Sequence, residues 1–567
     1  MLKAKKFIAI SLSSIMMAGL VTGGIPAGTG SVLGNDISYV YADEPGAPPD
    51  GNSPDGGMPG GSSSSNVSWT GATEITSSTK ASSPKYSSTT ADQNSVLINT
   101  SSSVKITNPT VTKSGNSSGG DSCNFYGINS AIMAKGGGVT EITGGTVKAT
   151  ARGANGVFSY GGNGGQNGAA GDGTTVKITN TKITTTGDNA GGIMTTGGGK
   201  TIATNLTINT SGQSSAPIRT DRGGGTVTVT NGTYTSTGQG SPAIYSTADI
   251  TVSDATLVSK KSEGVVIEGK NSVTLNNCKL TATNNALNGN ATFYDTIMIY
   301  QSQSGDAATG TSSFKMTNGS IISNKGAVFH VTNTNAKIAL NNVNIKNTDS
   351  KNVLISVCSD GWSGASNIAT LTAKNQTLNG NILVGSDSQL TLKLAGATTF
   401  TGKTSGSITN DKGSTVSSSL GNVKVVMSGG KAVWKLTGNC KVTSISGSGM
   451  IDYNGYTLTV GNKKYKKGNI GTIKEATYDV VFQKTDKTLP YAKLKTQNLT
   501  YSVIKKSNGG KVTYKVLSGK SAYVKVSTKG TVTVKKGAPK GVYKVQVTVA
   551  AKGKYKKTTK TIKITVK

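Results

Sequence analysis

The sequence predicts an all-β protein whose main part is a solenoid, and two observations carry this prediction. An eight-residue pattern (apolar, any, apolar, polar, Asn or Asp, any, any, apolar) occurs five times between Thr174 and Leu280. Its polar anchor positions lie 25, 26, 23 and 23 residues apart. The anchors are Asn180, Asn205, Asn231, Asp254 and Asn277. A repeat of this length is typical of solenoids, in which each copy stacks on the one before it.

The second observation is the alternation of apolar and polar residues inside each copy, which predicts short strands followed by a turn. Strand, turn, strand and a Gly-rich connection would close one rung, stacked on the next at about 4.8 Å. Asn tolerates the left-handed turn, and its amide can bond the amides above and below, so the anchors are interpreted as structural. Leucine-rich repeats need more leucine and a helix per copy. The sequence therefore predicts a right-handed parallel β-helix.

Weaker copies extend the solenoid over residues 67–476, which gives about 16 rungs and roughly 75 Å of length. Some anchors lie 36 or 41 residues apart, so extra residues are inserted between these rungs. We expect the inserts to project as loops. They are Ser114–Asp121, Gly161–Gly173 and Asn284–Asp306. The weaker anchors are Asn108, Gly144, Asn318, Asn342 and Asn375.

The N-terminus predicts export from the cell. Lysines precede an apolar run and a cleavage pattern that ends at Ala42, so residues 1–42 are interpreted as a signal peptide. Residues 43–66 are rich in Pro, Gly and Ser and are interpreted as a linker. No further long apolar run occurs, so no membrane span is expected in the mature chain. The expected location is outside the cell or on a Gram-positive type of cell surface.

Residues 477–567 differ sharply in composition from the solenoid. From Tyr478 onward there are 22 Lys and two acids, a net charge of +20 out of the chain's +33. About seven short alternating runs predict a small β-sandwich. This composition resembles the lysine-rich bacterial immunoglobulin-like modules of clostridial surface proteins. We expect it to bind anionic cell-wall polymer rather than nucleic acid, because lysines do not cluster with aromatics. Alternatively, the lysines only keep exposed strands from aggregating.

Cysteines and metal ligands give no motif. The four cysteines are at least 80 residues apart and are expected to be buried and reduced, with Cys278 acting as a small apolar residue. No cofactor is predicted. Calcium is a candidate ion, yet no loop offers a calcium-binding pattern that would assign it.

The predicted fold resembles that of pectate lyases, polygalacturonases and alginate lyases, which raises the question of catalysis. Polygalacturonases need an Asn-Thr-Asp, an Asp-Asp, a Gly-His-Gly and an Arg-x-Lys on one face. Only the first is present, at Asn347-Thr348-Asp349, and the single histidine, His330, lies between Phe329 and Val331. A lyase with an arginine base stays open as an alternative, and catalytic residues are not assigned.

A column of side chains on successive rungs is the predicted ligand-binding face. Thirteen residues after each anchor lies an apolar residue, and period two should turn the next side chain outward. Aromatic rings beside charged groups suit sugar recognition. A solvated face with mixed side chains is the alternative. The predicted ligand-binding residues are Phe158, Arg219, Asp221, Tyr245, Glu268, Tyr300 and His330, with Met194 in the same column.

These patterns together predict a secreted, cell-surface-associated β-helix that binds a polysaccharide or host glycan or acts as an adhesin. The basic tail would tether it to the wall. An extracellular polysaccharide lyase and a passive structural stalk are the alternatives.

Overall fold

The computed structural model describes residues 67–163, 170–517 and 521–567, and these residues belong to one compact unit. The predicted signal peptide and linker lie outside the described residues. The described chain is nearly all β, and most of it forms long parallel sheets. The all-β, solenoid-like prediction is therefore confirmed, and the architecture is compatible with a parallel β-helix.

Most rungs up to Asn347 contribute one strand to a first sheet and either two strands or one long strand to a second sheet. The first sheet has 13 parallel strands, fewer than the 16 rungs expected. Its strands are Gly71–Ile75, Asn94–Asn99, Ile132–Lys135, Val157–Tyr160, Ile193–Thr196, Ile218–Thr220, Ile244–Ser246, Val265–Glu268, Asp295–Tyr300, Ala327–Val331, Val353–Val357, Asn381–Val384 and Thr404–Ser405.

The second sheet has 22 strands in two adjoining rows. The first row is Thr79–Ser82, Val104–Thr107, Val139–Thr143, Thr175–Thr179, Gly199–Thr210, Gly225–Ser236, Asp249–Ser253, Ser272–Asn276, Thr311–Thr317, Asn335–Asn341, Ile368–Lys374, Gln389–Ala395, Asn422–Ser428 and Ser444–Gly447. The second row adds Lys85–Ser88, Thr110–Lys113, Thr146–Ala149, Lys182–Thr185, Thr256–Ser259, Lys279–Ala282, Ser320–Ser323 and Asn344–Asn347. Gly199–Thr210 and Gly225–Ser236 continue through both rows.

The anchor residues lie at the bend between the two rows and have the left-handed backbone that Asn tolerates. Their φ angles run from 49° at Asn108 to 58° at Asn231, and Gly144 has φ 70°. Amides also bond between neighbouring rungs, with Nδ2 of Asn205 donating to Oδ1 of Asn180 at 2.7 Å. Equivalent bonds join Asn277 to Asp254 and Asn342 to Asn318. The structural interpretation of the anchors is confirmed for these pairs.

The interior of the solenoid is a ladder of Val, Ile and Leu side chains. Ile218, Ile244 and Leu257 are fully buried there, and Cys278 packs in the same core, as expected for a small apolar residue. Full burial of one such side chain contributes about 1.5 to 3 kcal/mol. Because each residue stacks on its equivalent in the next rung, the core runs without interruption from Ile75 to Ile473.

The later rungs are less regular. A third sheet of five parallel strands takes over from the second row: Thr377–Asn379, Thr399–Gly402, Val433–Leu436, Met450–Asp452 and Lys474–Glu475. Two smaller sheets lie beside it: Ser407–Thr409 with Thr415–Ser418, and Cys440–Val442 with Leu458–Val460 and Lys463–Tyr465.

Residues 478–567 form four small sheets around a hydrophobic core of their own. The largest sheet orders Lys487–Leu489, Thr558–Val566, Gly541–Val549 and Val512–Val516. The others are Leu499–Ser502 with Thr531–Val534 and Val524–Val526, Phe482–Lys484 with Ile504–Ser507, and Tyr478–Asp479 with Tyr555–Lys556. Helices are short: Ser122–Phe125, Tyr491–Leu494 and the 3-10 turn Ser521–Tyr523.

Candidate ligand-binding site

Four of the predicted residues lie in one column on the outer side of the first sheet. The strand register pairs Phe158 with Met194, Met194 with Arg219, and Arg219 with Tyr245. Their inward neighbours, such as Ile244, belong to the solenoid core. Period-two alternation therefore places this part of the column where the spacing predicts.

The expected position of Glu268 in this column is wrong by two residues. The register pairs Tyr245 with Val266, and Glu268 lies opposite Tyr300 in a second column. The physical reason is that one turn is shorter than its neighbour. Ser236 is paired with Ser259, and Ile244 is paired with Val265, but eight positions separate the first residues of these pairs and only six separate the second. His330 lies opposite Met298, in line with Val266, and so belongs to the first column.

The expectation that the column is exposed is also wrong. All seven predicted residues are at least nine-tenths buried, with Tyr245 the most exposed at 8% and Arg219 at 3%. The list is Phe158, Arg219, Asp221, Tyr245, Glu268, Tyr300 and His330. As placed in the structure, a ligand cannot reach these side chains without displacing whatever covers them.

The cover is formed by connecting segments between the rungs, which fold back onto the sheet instead of projecting. Phe125 and Tyr126, in the connection that follows the insert Ser114–Asp121, pack with Phe158. Ala291, from the longest insert, and Trp362, from a later connection, pack with Tyr245. A second apolar layer therefore lies outside the first sheet, and it buries the predicted face.

Glu268 is the centre of a buried hydrogen-bond network. Its Oε2 accepts the hydroxyl of Tyr245 at 2.5 Å and that of Tyr300 at 3.0 Å, and its Oε1 accepts the hydroxyl of Ser302. Burial raises the pKa of Glu268, although these hydroxyl donors oppose the shift. Burial and the nearby Glu268 carboxylate also raise the pKa of both tyrosines well above the usual range.

Two arginine–aspartate pairs flank this network. Nη2 of Arg219 donates to Oδ2 of Asp221 at 3.0 Å, and its Nη1 donates to the Ser214 carbonyl at 2.7 Å. Arg222 donates through Nε and Nη2 to Oδ1 of Asp306, at 3.0 and 2.8 Å. The second pair was not predicted. Paired charges of this kind satisfy one another. The pair of Arg222 with Asp306 joins the turn after the strand Ile218–Thr220 to the end of the longest insert, whereas the pair of Arg219 with Asp221 is local to that strand and its end.

Arg222 and Trp362 are the residues that sequence reasoning missed. The Arg222 guanidinium lies 4.0 Å from the ring centre of Phe125 and also pairs with Asp306, so it links two separate parts of the cover. The indole of Trp362 lies 4.9 Å from Tyr300. Aromatic residues inside Gly-rich inserts were the available signal, because exposed loops rarely carry several of them.

His330 lies outside the Glu268 network. Its ring is 4.8 Å from Phe293, and its Nε2 is 3.4 Å from Oδ2 of Asp360. Neither ring nitrogen makes a hydrogen bond within the described part of the chain. His330 therefore shares the column of Tyr245 but not the hydrogen-bond network of Glu268.

An open groove runs beside this covered face, at the bend that follows the first sheet. It has a volume of about 410 Å³ and crosses several successive rungs. Much of its wall is formed by glycines, namely Gly198 and the run Gly223–Gly225. The buried residues Thr247 and Asn271 also line it. Asp249 and Lys270 are exposed at its rim. Volumes of this size suit a small ligand or part of a chain.

Other features of the described residues are reported briefly. No group of three or more His, Cys, Asp or Glu side chains in these ranges is arranged to hold a metal ion. No helix among them is long and apolar enough to cross a membrane. The four cysteines are buried.

Comparison with known proteins leaves the chain without a relative to describe. No known protein family, no curated protein and no solved structure matches it.

Proposed function

We propose that this chain is a secreted, cell-surface-associated protein that binds polysaccharide or host glycan, or acts as an adhesin. In this proposal the solenoid is a right-handed parallel β-helix of the pectate-lyase-like type. The tail is a lysine-rich immunoglobulin-like module that holds the protein to anionic wall polymer. The proposal rests on the groove beside the first sheet, which is open while the predicted column is closed.

The groove supports glycan binding because its chemistry is polar and its length follows the stacking of the rungs. Lys270 forms no ion pair among the described residues and offers an ammonium group to a carboxylate or hydroxyl. Asp249 offers acceptors for sugar hydroxyls, and it already accepts the Ser272 hydroxyl at 2.5 Å. Rungs about 4.8 Å apart present such groups at roughly the spacing of sugar rings.

A lyase with Arg219 as its base is the less favoured alternative. Both terminal nitrogens of Arg219 donate to protein oxygens, and the side chain is 3% exposed. A base needs a path to the substrate proton, and the cover blocks that path in this conformation. A passive stalk is the other alternative.

Binding of purified wall and host polysaccharides to the secreted chain tests the proposal. The charge-removing variant Lys270→Ala, with Asp249→Ala as a second variant, should weaken binding about fivefold to tenfold, or about 1 to 1.4 kcal/mol. The matched control is Lys260→Ala, which removes the same charge from an exposed site outside the groove. Equal binding by all variants would show that the groove is not the site, and no binding by the wild type would favour the stalk.

The tether is tested separately. Asp479 and Asp486 are the only acids among residues 478–567, so most of the 22 lysines lack a local counter-charge. An electrostatic tether weakens with salt, because the Debye length shrinks to about 3 Å at 1 M. A salt wash should release the protein from cells, and retention in 1 M salt would contradict this part of the proposal.

A further inference from the structure

Two buried carboxyl groups lie on neighbouring rungs at the start of the first sheet. The register pairs Val265 with Ile297, and the N–H of Gly264 donates to the carbonyl of Thr296 at 2.7 Å. Extending this register by one residue places Glu263 opposite Asp295. Glu263 is 4% exposed and Asp295 is 1% exposed. Neighbouring rungs are about 4.8 Å apart, which is too close for two buried charges without a counter-ion.

The surroundings of Asp295 leave polar atoms unsatisfied. Oδ1 of Asp295, Oγ1 of Thr296 and Oδ1 of Asn284 are buried and make no hydrogen bond within the described ranges. Asn284 nevertheless points at the pair, since its Nδ2 donates to Oε1 of Glu263 at 3.1 Å. Ionised carboxylates bury well only when donors satisfy them. Glu263 has a donor for each carboxyl oxygen, from Asn284 and from the Ser262 hydroxyl, whereas Oδ1 of Asp295 has none, so a protonated, neutral Asp295 fits these surroundings best.

Two further carboxylates face Asp295 from later segments of the chain. Asp360 accepts the N–H and hydroxyl of Thr292, at 2.9 and 2.6 Å. Asp411 accepts the N–H of Tyr294 at 2.8 Å. Both therefore hold the end of the longest insert, immediately before Asp295.

The basic side chains nearby contact other carboxyl groups. Lys351 pairs with the other oxygen of Asp411 at 2.5 Å, and His330 lies 3.4 Å from Asp360. Burial, and then the charges of Glu263, Asp360 and Asp411, raise the pKa of Asp295 well above its usual range. Burial also raises the pKa of Glu263.

We propose that Glu263 and Asp295 form a buried carboxyl pair that keeps residues 284–294 closed over the first sheet while the pair holds a proton, and releases them when that proton is lost. This segment carries Ala291, which packs on Tyr245, and Phe293, which packs on His330. Its release would open the face that contains Tyr245, Glu268 and Tyr300.

The direction of the pH effect follows from the raised pKa values. A carboxyl group with a folded-state pKa above its unfolded-state pKa stabilises the closed state in acid, and this contribution disappears as pH rises through the folded-state pKa. The cover is therefore most protected in acid and loosens as pH rises above the ordinary carboxyl range.

Hydrogen exchange of the full mature chain at several pH values, corrected for the intrinsic exchange rate, tests the proposal. In the wild type, protection of residues 284–294 should fall about tenfold between about pH 5 and about pH 8, which corresponds to about 1.4 kcal/mol. Asp295→Asn keeps the shape but cannot ionise, so its protection should stay flat across this range. Glu263→Gln should behave in the same way and replaces the first variant if that one does not fold.

Two controls decide whether the effect belongs to this pair. Glu141→Gln alters an exposed carboxylate that pairs with Lys177 and should keep the wild-type pH profile. Glu268→Gln removes the other buried carboxyl group of this face and should also keep it. A flat profile in the wild type would overturn the proposal. So would an unchanged pH dependence in Asp295→Asn and Glu263→Gln, or its loss in Glu268→Gln alone.

Discussion

The two sides of the first sheet are both buried, but different parts of the sequence bury them. Ile244 and Tyr245 are consecutive residues on opposite sides of one strand, with exposures of 0% and 8%. Ile244 is covered by the repeat itself, because equivalent residues stack above and below it. Tyr245 is covered by segments that do not repeat, including Ala291 and Trp362. A periodic pattern thus reveals an interior, while the burial of an outer face depends on the inserts.

The strongest test of this comparison is Tyr245→Ala. Truncation of a covered tyrosine should lower the free energy of unfolding by about 3 to 5 kcal/mol, because a large cavity forms and Glu268 loses a hydrogen-bond donor. Equilibrium unfolding in denaturant measures this cost. The matched control is Tyr456→Ala, since Tyr456 is 37% exposed and should change stability by no more than about 0.5 kcal/mol. Equal, small effects at the two tyrosines would mean that the outer face is open.

Ile244→Ala tests the inner side of the same strand. The ladder cannot collapse around a missing side chain without shifting several rungs, so we expect a loss of about 2 to 5 kcal/mol. The same unfolding experiment provides the value, and Val542→Ala, at an exposed position of the tail, is the control. A loss under about 1 kcal/mol would contradict the inward assignment of Ile244.

The anchors offer a smaller effect with a sharper internal control. Asn205 has φ 53° and donates to Asn180, so Asn205→Ala should lose about 1 to 2 kcal/mol through left-handed strain and the missing amide bond. Asn205→Gly removes the bond but tolerates the backbone angle, and should be clearly more stable than the Ala variant. If Ala and Gly behave alike in thermal unfolding, strain at the anchor is negligible.

Lys113 gives the smallest expected signal, a change in the slope of stability against pH. Its ammonium group is buried and donates to the carbonyls of Thr90 and Gly115, and burial lowers its pKa to about 8. Between about pH 8 and 10, this lysine is therefore protonated in the unfolded chain and largely neutral in the folded one. The free energy of unfolding should increase as pH rises through this range. The variant Lys113→Met should lack this pH-dependent increase in the free energy of unfolding. Parallel stability curves for the two proteins would contradict it.

The sequence was sufficient for those parts of the fold that repeat. The sequence pattern correctly predicts turns at Asn205 and Asp254 and buried positions at Ile218 and Ile244. It does so because each rung needs the same kind of residue at the same position as the rung before it. The register at Glu268 could not be predicted, since it depends on a turn that is two residues shorter than its neighbour. The ion pair of Arg222 with Asp306 joins residues 84 positions apart, and no local pattern indicates such a contact.

The candidate site shows the same division. Period two correctly places Arg219 and Tyr245 on the outer side, but alternation describes only which side a residue faces and not what covers it. Composition did hold a signal, because Phe125, Phe293 and Trp362 are aromatic residues in segments otherwise rich in Gly, Ser and Asn. Burying their apolar rings against a nearby sheet removes these rings from water, which favours folding of the segment onto the sheet.

Hydroxyl-radical footprinting of the folded chain, followed by peptide mass spectrometry, tests the covered face most directly. At about pH 5, where the cover is expected to be closed, Tyr245, Tyr300 and Trp362 should react at least about tenfold more slowly than the exposed Tyr456. Slow reaction at all three sites is the result predicted here. Modification of Tyr245 and Tyr300 as fast as that of Tyr456 would show that the inserts do not cover the sheet, and would return the column to an open ligand-binding face.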